Sequence, residues 1–153
     1  MSARTNSSTS AVEDVLLLLG RIAFAAIFLP SGIRKLNNFA GFAEGLEPRG
    51  LPFGLPLPFP DLMAVLAVAT EILAPLMVLV GLATRWGALW LAAFVVMATL
   101  TAHRFWDFEE AAAYAAQSSS FYRNMAYIGA MFFLFSAGAG RLSVDHWWRS
   151  RAS

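Results

Sequence analysis

The 153-residue chain contains no cysteine. Disulfides, thiolate-ligated iron–sulfur clusters and Cys-x-x-Cys redox chemistry are therefore excluded within it. Charge is also scarce. Asp, Glu, Lys and Arg make up 14% of the residues, against about 25% in an average soluble domain. The net charge is +1, which gives no electrostatic basis for binding nucleic acid. Histidine is limited to His103 and His146. No set of His and carboxylate residues has metal-ligand spacing, so no metal site is expected.

What is abundant is apolar. Hydrophobic residues make up 58% of the chain, and they come in long blocks rather than in a 3.6-residue stripe. That pattern belongs to an integral helical membrane protein with a single domain and not to a soluble core. Residues 1–11, rich in Ser and Thr, read as a disordered tail. The apolar run after them lacks the layout of a signal peptide. Glu13 and Asp14 precede it, Arg21 interrupts it and Arg34-Lys35 follow it, so it reads as a retained membrane helix.

The expected fold is all-α: an integral membrane four-helix bundle, up-down-up-down. The spans fall at about 14–33, 62–82, 86–102 and 122–139, within one domain over 12–146. Residues 147–153 form a C-terminal interfacial tail anchored by Trp147-Trp148. The short Gly81–Trp86 turn forces the second and third spans antiparallel. Residues 36–61 hold five of the seven prolines and read as an ordered Pro-rich loop over the bundle mouth. Residues 107–117 read as a short interfacial helix, with Asp107 as N-cap and Glu110 at its third position. Lys and Arg divide evenly between the two sides: Arg4, Arg85, Arg141, Arg149 and Arg151 against Arg34, Lys35, Arg49, Arg104 and Arg123. The positive-inside count thus leaves orientation open, and hairpin insertion favours cytoplasmic termini.

One residue breaks the apolar pattern inside a span. Glu71 sits in LMAVLAVATEILAPLMVLVGL, near the bilayer midplane. A charge there costs at least about 2.5–3.5 kcal/mol and calls for a partner. Pro75 follows at i+4, which removes the amide that would bond the Glu71 carbonyl and favours a kink. Depth counting makes Arg21 the natural partner. It lies roughly 10 Å into the first span, against roughly 16 Å for Glu71 from the same surface, and an arginine grips a carboxylate with two parallel hydrogen bonds. Such a pair reads either as packing between helices or as a proton-exchanging carboxyl in a cavity. At the long-loop side His103 suits proton exchange, and Lys35, Arg123 and Asn124, with Arg21 deeper in the first span, are candidates for binding a polar head. That head belongs to a quinone or to an acidic lipid. Haem is disfavoured, because the two histidines fall on opposite sides of the membrane.

The ordered set of residues resembles the DoxX family of small four-helix membrane proteins. It runs Gly20-Arg21…Ala26-Ile27-Phe28-Leu29…Ser31-Gly32…Lys35-Leu36, then Glu71, then Val80-Gly81-Leu82-Ala83-Thr84-Arg85. His103 and Arg123-Asn124 follow, and Gly138-Ala139-Gly140-Arg141-Leu142-Ser143-Val144-Asp145 ends it. The resemblance implies membrane location and an association with quinone-linked oxidation and membrane redox complexes. One departure is Arg123, where the family usually has Lys; the charge is kept but the titratable ammonium is lost. Two functions follow as expectations. One is a quinone- or quinol-interacting subunit, with no covalent cofactor of its own, in which Glu71 and His103 exchange protons. The other is a non-enzymatic accessory or scaffold subunit. Its partners are the lipid bilayer together with another redox subunit or further copies of the chain.

Overall fold

A computed structural model describes residues 3–51 and 55–152. Among the described residues the secondary structure is helical throughout. Six α-helices follow one another: α1 (Ala3–Asn37), α2 (Phe39–Glu44), α3 (Pro60–Val80), α4 (Thr84–Ala102), α5 (Ala111–Ala137) and α6 (Val144–Ala152). Short 3₁₀ turns cover Glu47–Arg49 and Phe105–Asp107. Three segments are long and apolar enough to cross a membrane: Ala11–Asn37, Pro60–Val80 and Thr84–Asp107. The fourth long helix, α5, has the length, at 27 residues. Its first half is diluted by Gln117, three serines, Arg123 and Asn124, and it is not among those three.

Helix α1 starts at Ala3, inside the segment that composition marks as a disordered tail. Extending a helix upstream from an apolar run adds one hydrogen bond per residue without a new nucleus. It also continues through Pro30 to Asn37, one turn beyond the expected end of the first span. α3 runs unbroken through Pro75. The reversal between α3 and α4 needs only residues 81–83. Gly81 (φ 75°) and Ala83 (φ 46°) both take the left-handed conformation. At Gly81 a Cβ would lie 2.4 Å from both Arg21 Nη1 and Ser143 Cβ, so only glycine fits there.

Between α4 and α5 the expected short interfacial helix is not a separate element. Residues 111–137 form one continuous helix. The alanine-rich start has high helix propensity, and no Gly or Pro separates it from Phe121. Asp107 is not its N-cap. Glu110 is, accepting from the Ala112 and Ala113 amides at 2.9 and 2.7 Å, while Asp107 pairs with Arg104 at 2.6 Å. Phe105 packs against Trp106, Tyr114 and Phe121 with ring centroids 5.1–5.4 Å apart. This fixes the 3₁₀ turn on the start of α5.

The Pro-rich connection is only partly irregular. Its first residues form α2, before the prolines begin. The expected loop at residues 52–54 lies outside the described residues. The main core draws on all four long helices: Phe28 from α1, Ala74 from α3, Leu91, Ala92 and Val95 from α4, and Ile128 and Met131 from α5.

Candidate functional site

Glu71 is buried, 5% exposed, at mid-length in α3. Its partner is Lys35, whose Nζ donates to Glu71 Oε1. Lys35 sits in the last turn of α1, two residues past the expected span, and reaches back toward Glu71. The ammonium also lies over the Phe42 ring of α2, 5.0 Å from its centroid. The other carboxylate oxygen, Oε2, is buried and has no hydrogen-bond partner among the described residues. α1 approaches α3 closely here because residue 32 is glycine. A Cβ on Gly32 would come within 3.1 Å of the Glu71 backbone and 2.9 Å of Ile72 Cγ1. The Glu71 carbonyl, which Pro75 deprives of its helical donor, thus lies against the α1 backbone. Beside Lys35 a cleft of about 230 Å³ opens between α1 and α2, lined by Ser31, Arg34, Lys35, Asn38, Gly41 and Phe42.

The expected Arg21–Glu71 pair does not form. Arg21 is fully buried, but its guanidinium points to the opposite end of α3. Nη1 donates to the Leu79 carbonyl at 3.3 Å and Nη2 to the Leu142 carbonyl. Depth counting failed because α1 and α3 cross with an offset: Arg21 meets the end of α3, and Lys35 meets its middle.

The other expected site residues are spread over the loop end and do not converge on Glu71. His103 caps α4 and its Nδ1 lies 2.9 Å from Gln117 Oε1. Asn124 donates from Nδ2 to Thr99 Oγ1 at 2.8 Å, and Thr99 in turn donates to the Val95 carbonyl at 2.6 Å. Arg123 is exposed and donates to Ser120 Oγ at 3.0 Å. Among the described residues no hydrogen bond or ion pair joins any of these three to Glu71 or Lys35. His103 and His146 stand at opposite ends of α4.

The opposite end of the molecule is tied together by a feature that the sequence pattern marks but does not explain. The Asp145 carboxylate accepts from the Ala83 and Thr84 amides at 2.7 and 3.0 Å, and so caps α4 from a distant segment. The Asp145 amide donates to the Gly81 carbonyl at 2.9 Å. Asp14 accepts from the Arg141 amide at 2.7 Å and pairs with its side chain. The ending GAGRLSVD is thus a clasp across α1, the α3–α4 turn and the end of α5. Beside it lies a second cleft, of about 740 Å³.

Three segments long and apolar enough to cross a membrane, and a buried carboxylate on one of them paired with a lysine on another, define a small helical membrane protein. The DoxX family model matches residues 16–104, and the chain belongs to the DoxX family. It is 30% identical over 135 residues to the inner membrane protein YphA of Escherichia coli (strain K12), covering 88% of this chain and 91% of that one. It is also 30% identical over 134 residues to the inner membrane protein YqjF of the same organism, covering 88% and 92%. An uncharacterized protein of Haemophilus influenzae is 29% identical over 133 residues, covering 87% and 83%. No solved structure matches.

Proposed function

We propose that this chain is a quinone- or quinol-interacting subunit of a membrane redox system, built around the Glu71–Lys35 pair. The observation that carries the reading is the half-satisfied carboxylate: one oxygen on Lys35, the other buried and unpaired. An unpaired buried acceptor is unfavourable by about 1–3 kcal/mol unless something donates to it. A quinol hydroxyl is such a donor, and the Lys35 ammonium suits a quinone carbonyl. The adjoining cleft lets a headgroup approach from the loop end, where Asn38 adds a donor and an acceptor. On oxidation of a quinol, the Glu71 carboxylate takes up one proton and His103 the other, while the already protonated Lys35 ammonium only holds the headgroup oxygen. The quinol's two electrons pass to a partner oxidoreductase, because this cysteine-free chain offers no thiolate centre. His103, Arg123 and Asn124 serve as a polar rim at the same end, with His103 the second proton-exchanging group. Arg21 stays outside the site.

We take α5 as a fourth span. The chain is then an up-down-up-down bundle in the inner membrane, as its relatives YphA and YqjF are inner membrane proteins, with both termini cytoplasmic. The antiparallel ties Arg85–Ser136 and Asn124–Thr99 between α4 and α5 support that arrangement.

The test is quinone and quinol titration of the purified full-length chain, wild type and Glu71→Gln. A carboxamide fills the same space but cannot take up a proton, and affinity should fall at least tenfold, about 1.4 kcal/mol. Unchanged affinity sinks the reading. If a stoichiometric protein partner is retained as well, the accessory-subunit function takes its place.

A further inference from the structure

The larger cleft, about 740 Å³, lies at the other end of the molecule from Glu71. It opens between the α3–α4 turn, the end of α5 and the start of α6. Its walls carry three guanidinium groups, Arg85, Arg141 and Arg149, with His146 and the rings of Trp86 and Trp148. Two carboxylates are also present, Asp14 and Asp145, but both are committed. Asp145 is turned onto the Ala83 and Thr84 amides, and Asp14 is paired with Arg141. Arg85 has no carboxylate partner among the described residues. Its Nη2 donates to the Ser136 carbonyl at 3.3 Å, and the side chain stays exposed. The lining therefore has cationic charge in excess of the carboxylates that answer it.

Position says what kind of anion belongs there. The cleft sits just past the ends of two crossing segments. Trp86 and Trp148, 69% and 56% exposed, stand at its mouth. Tryptophan with its ring exposed at the end of a span marks the headgroup level of a bilayer. Guanidinium groups at that level pair with phosphate through charge-assisted bonds. The volume is within the range of about 300–1,000 Å³ usual for ligand sites. We propose that this cleft binds a phosphate group, that of an anionic phospholipid headgroup, independently of the Glu71–Lys35 site.

Native mass spectrometry of the full-length chain, released from a zwitterionic detergent, tests this. The probes are phosphatidylglycerol, phosphatidylcholine and inorganic phosphate. The wild type should retain one phosphatidylglycerol per chain, at least fivefold more strongly than phosphatidylcholine. Arg85→Gln should weaken that retention about fivefold, the effect of one interfacial arginine. Arg85 is exposed, so this variant keeps its fold. Arg104→Gln, at the loop end, should leave retention unchanged. Resistance of the bound lipid to millimolar inorganic phosphate supports a lipid source, and displacement supports the phosphate site with a soluble source. Equal retention of the two lipids with no phosphate adduct overturns the proposal. So does phosphatidylglycerol retention that is identical in wild type and Arg85→Gln.

Discussion

Helix α1 carries two inward-reaching cations, and the two ends of the molecule use them differently. Arg21, fully buried, holds only backbone carbonyls, those of Leu79 and Leu142. Lys35, with 28% of its side chain exposed, holds the Glu71 carboxylate. The first arrangement has no proton to exchange. A guanidinium does not titrate in proteins, and carbonyl dipoles are fixed by the helices that carry them. The second is made of two titratable groups and leaves an acceptor open. Around Arg21 the hydrogen bonds are dense, with Asp145 on α4, Asp14 on Arg141 and Ser143 Oγ on the Gly140 carbonyl at 2.6 Å, although Arg21 Nε and Thr84 Oγ1 are themselves buried without a hydrogen-bond partner among the described residues. Around Lys35 there is one ion pair, one aromatic face and a cleft. One end holds the helices together through several hydrogen bonds; the other joins α1 to α3 through a single ion pair beside a cleft.

The sharpest way to break this comparison is Arg21→Leu. It leaves the part-buried Leu79 and Leu142 carbonyls without their Arg21 donors. At about 1–3 kcal/mol for each unsatisfied group, the loss should be roughly 2–6 kcal/mol. Folded yield and thermal unfolding in detergent measure it. Arg21→Lys should rescue little, since an ammonium cannot span two carbonyls as a planar fork does. A variant that folds like the wild type but no longer binds quinone would erase the division between the two ends.

A smaller effect is expected at the other end. Lys35→Met leaves the buried Glu71 carboxylate without its cation. Glu71→Gln leaves an ammonium that retains some contact with water. The double variant removes both charges together. A double-mutant cycle on unfolding free energy should give a coupling of about 0.5–3 kcal/mol, below the cost at Arg21. Additive effects of the two substitutions would show that the pair contributes nothing as a pair.

The sequence carried part of this division. Glu71 stood out because an acid in the middle of an apolar run is costly whatever its partner. The helical membrane architecture, the short α3–α4 reversal and the family resemblance were also readable from the chain. The partner of Glu71 was not, because pairing depends on the offset between helices. Residue counting assumes that spans begin and end at the same depth. α1 runs past Pro30 and Gly32 to Asn37, so Lys35 belongs to a helix and not to a loop, and it reaches inward. The role of Asp145 was hidden for another reason. It caps a helix 61 residues away in sequence, and a capping signal is readable only when it is local. Glu110 shows the local case: the acidic residue was visible, but the helix start was placed three residues early, at Asp107.

Glu110 also supplies the smallest expected effect, and a control for the loop end. The Ala112 and Ala113 amides hold its carboxyl below the ordinary value of 4.5. The ionised form is the one that caps α5. A depressed folded-state pKa means that the contribution is complete above about pH 4.5, declines as pH falls through the lower folded value, and is absent once both states are protonated. Amide hydrogen exchange at Ala112 and Ala113 should therefore be slower in the wild type than in Glu110→Gln near neutrality. The two should converge in acid. The site is on the surface, so the change should stay within the first turn of α5 and leave global unfolding almost unmoved. Acid-induced fraying that persists in Glu110→Gln must come from elsewhere at the same end. Its disappearance in Glu71→Gln would trace it to the Glu71–Lys35 ion pair, and so separate the surface cap from the contact that joins α1 to α3 at this end.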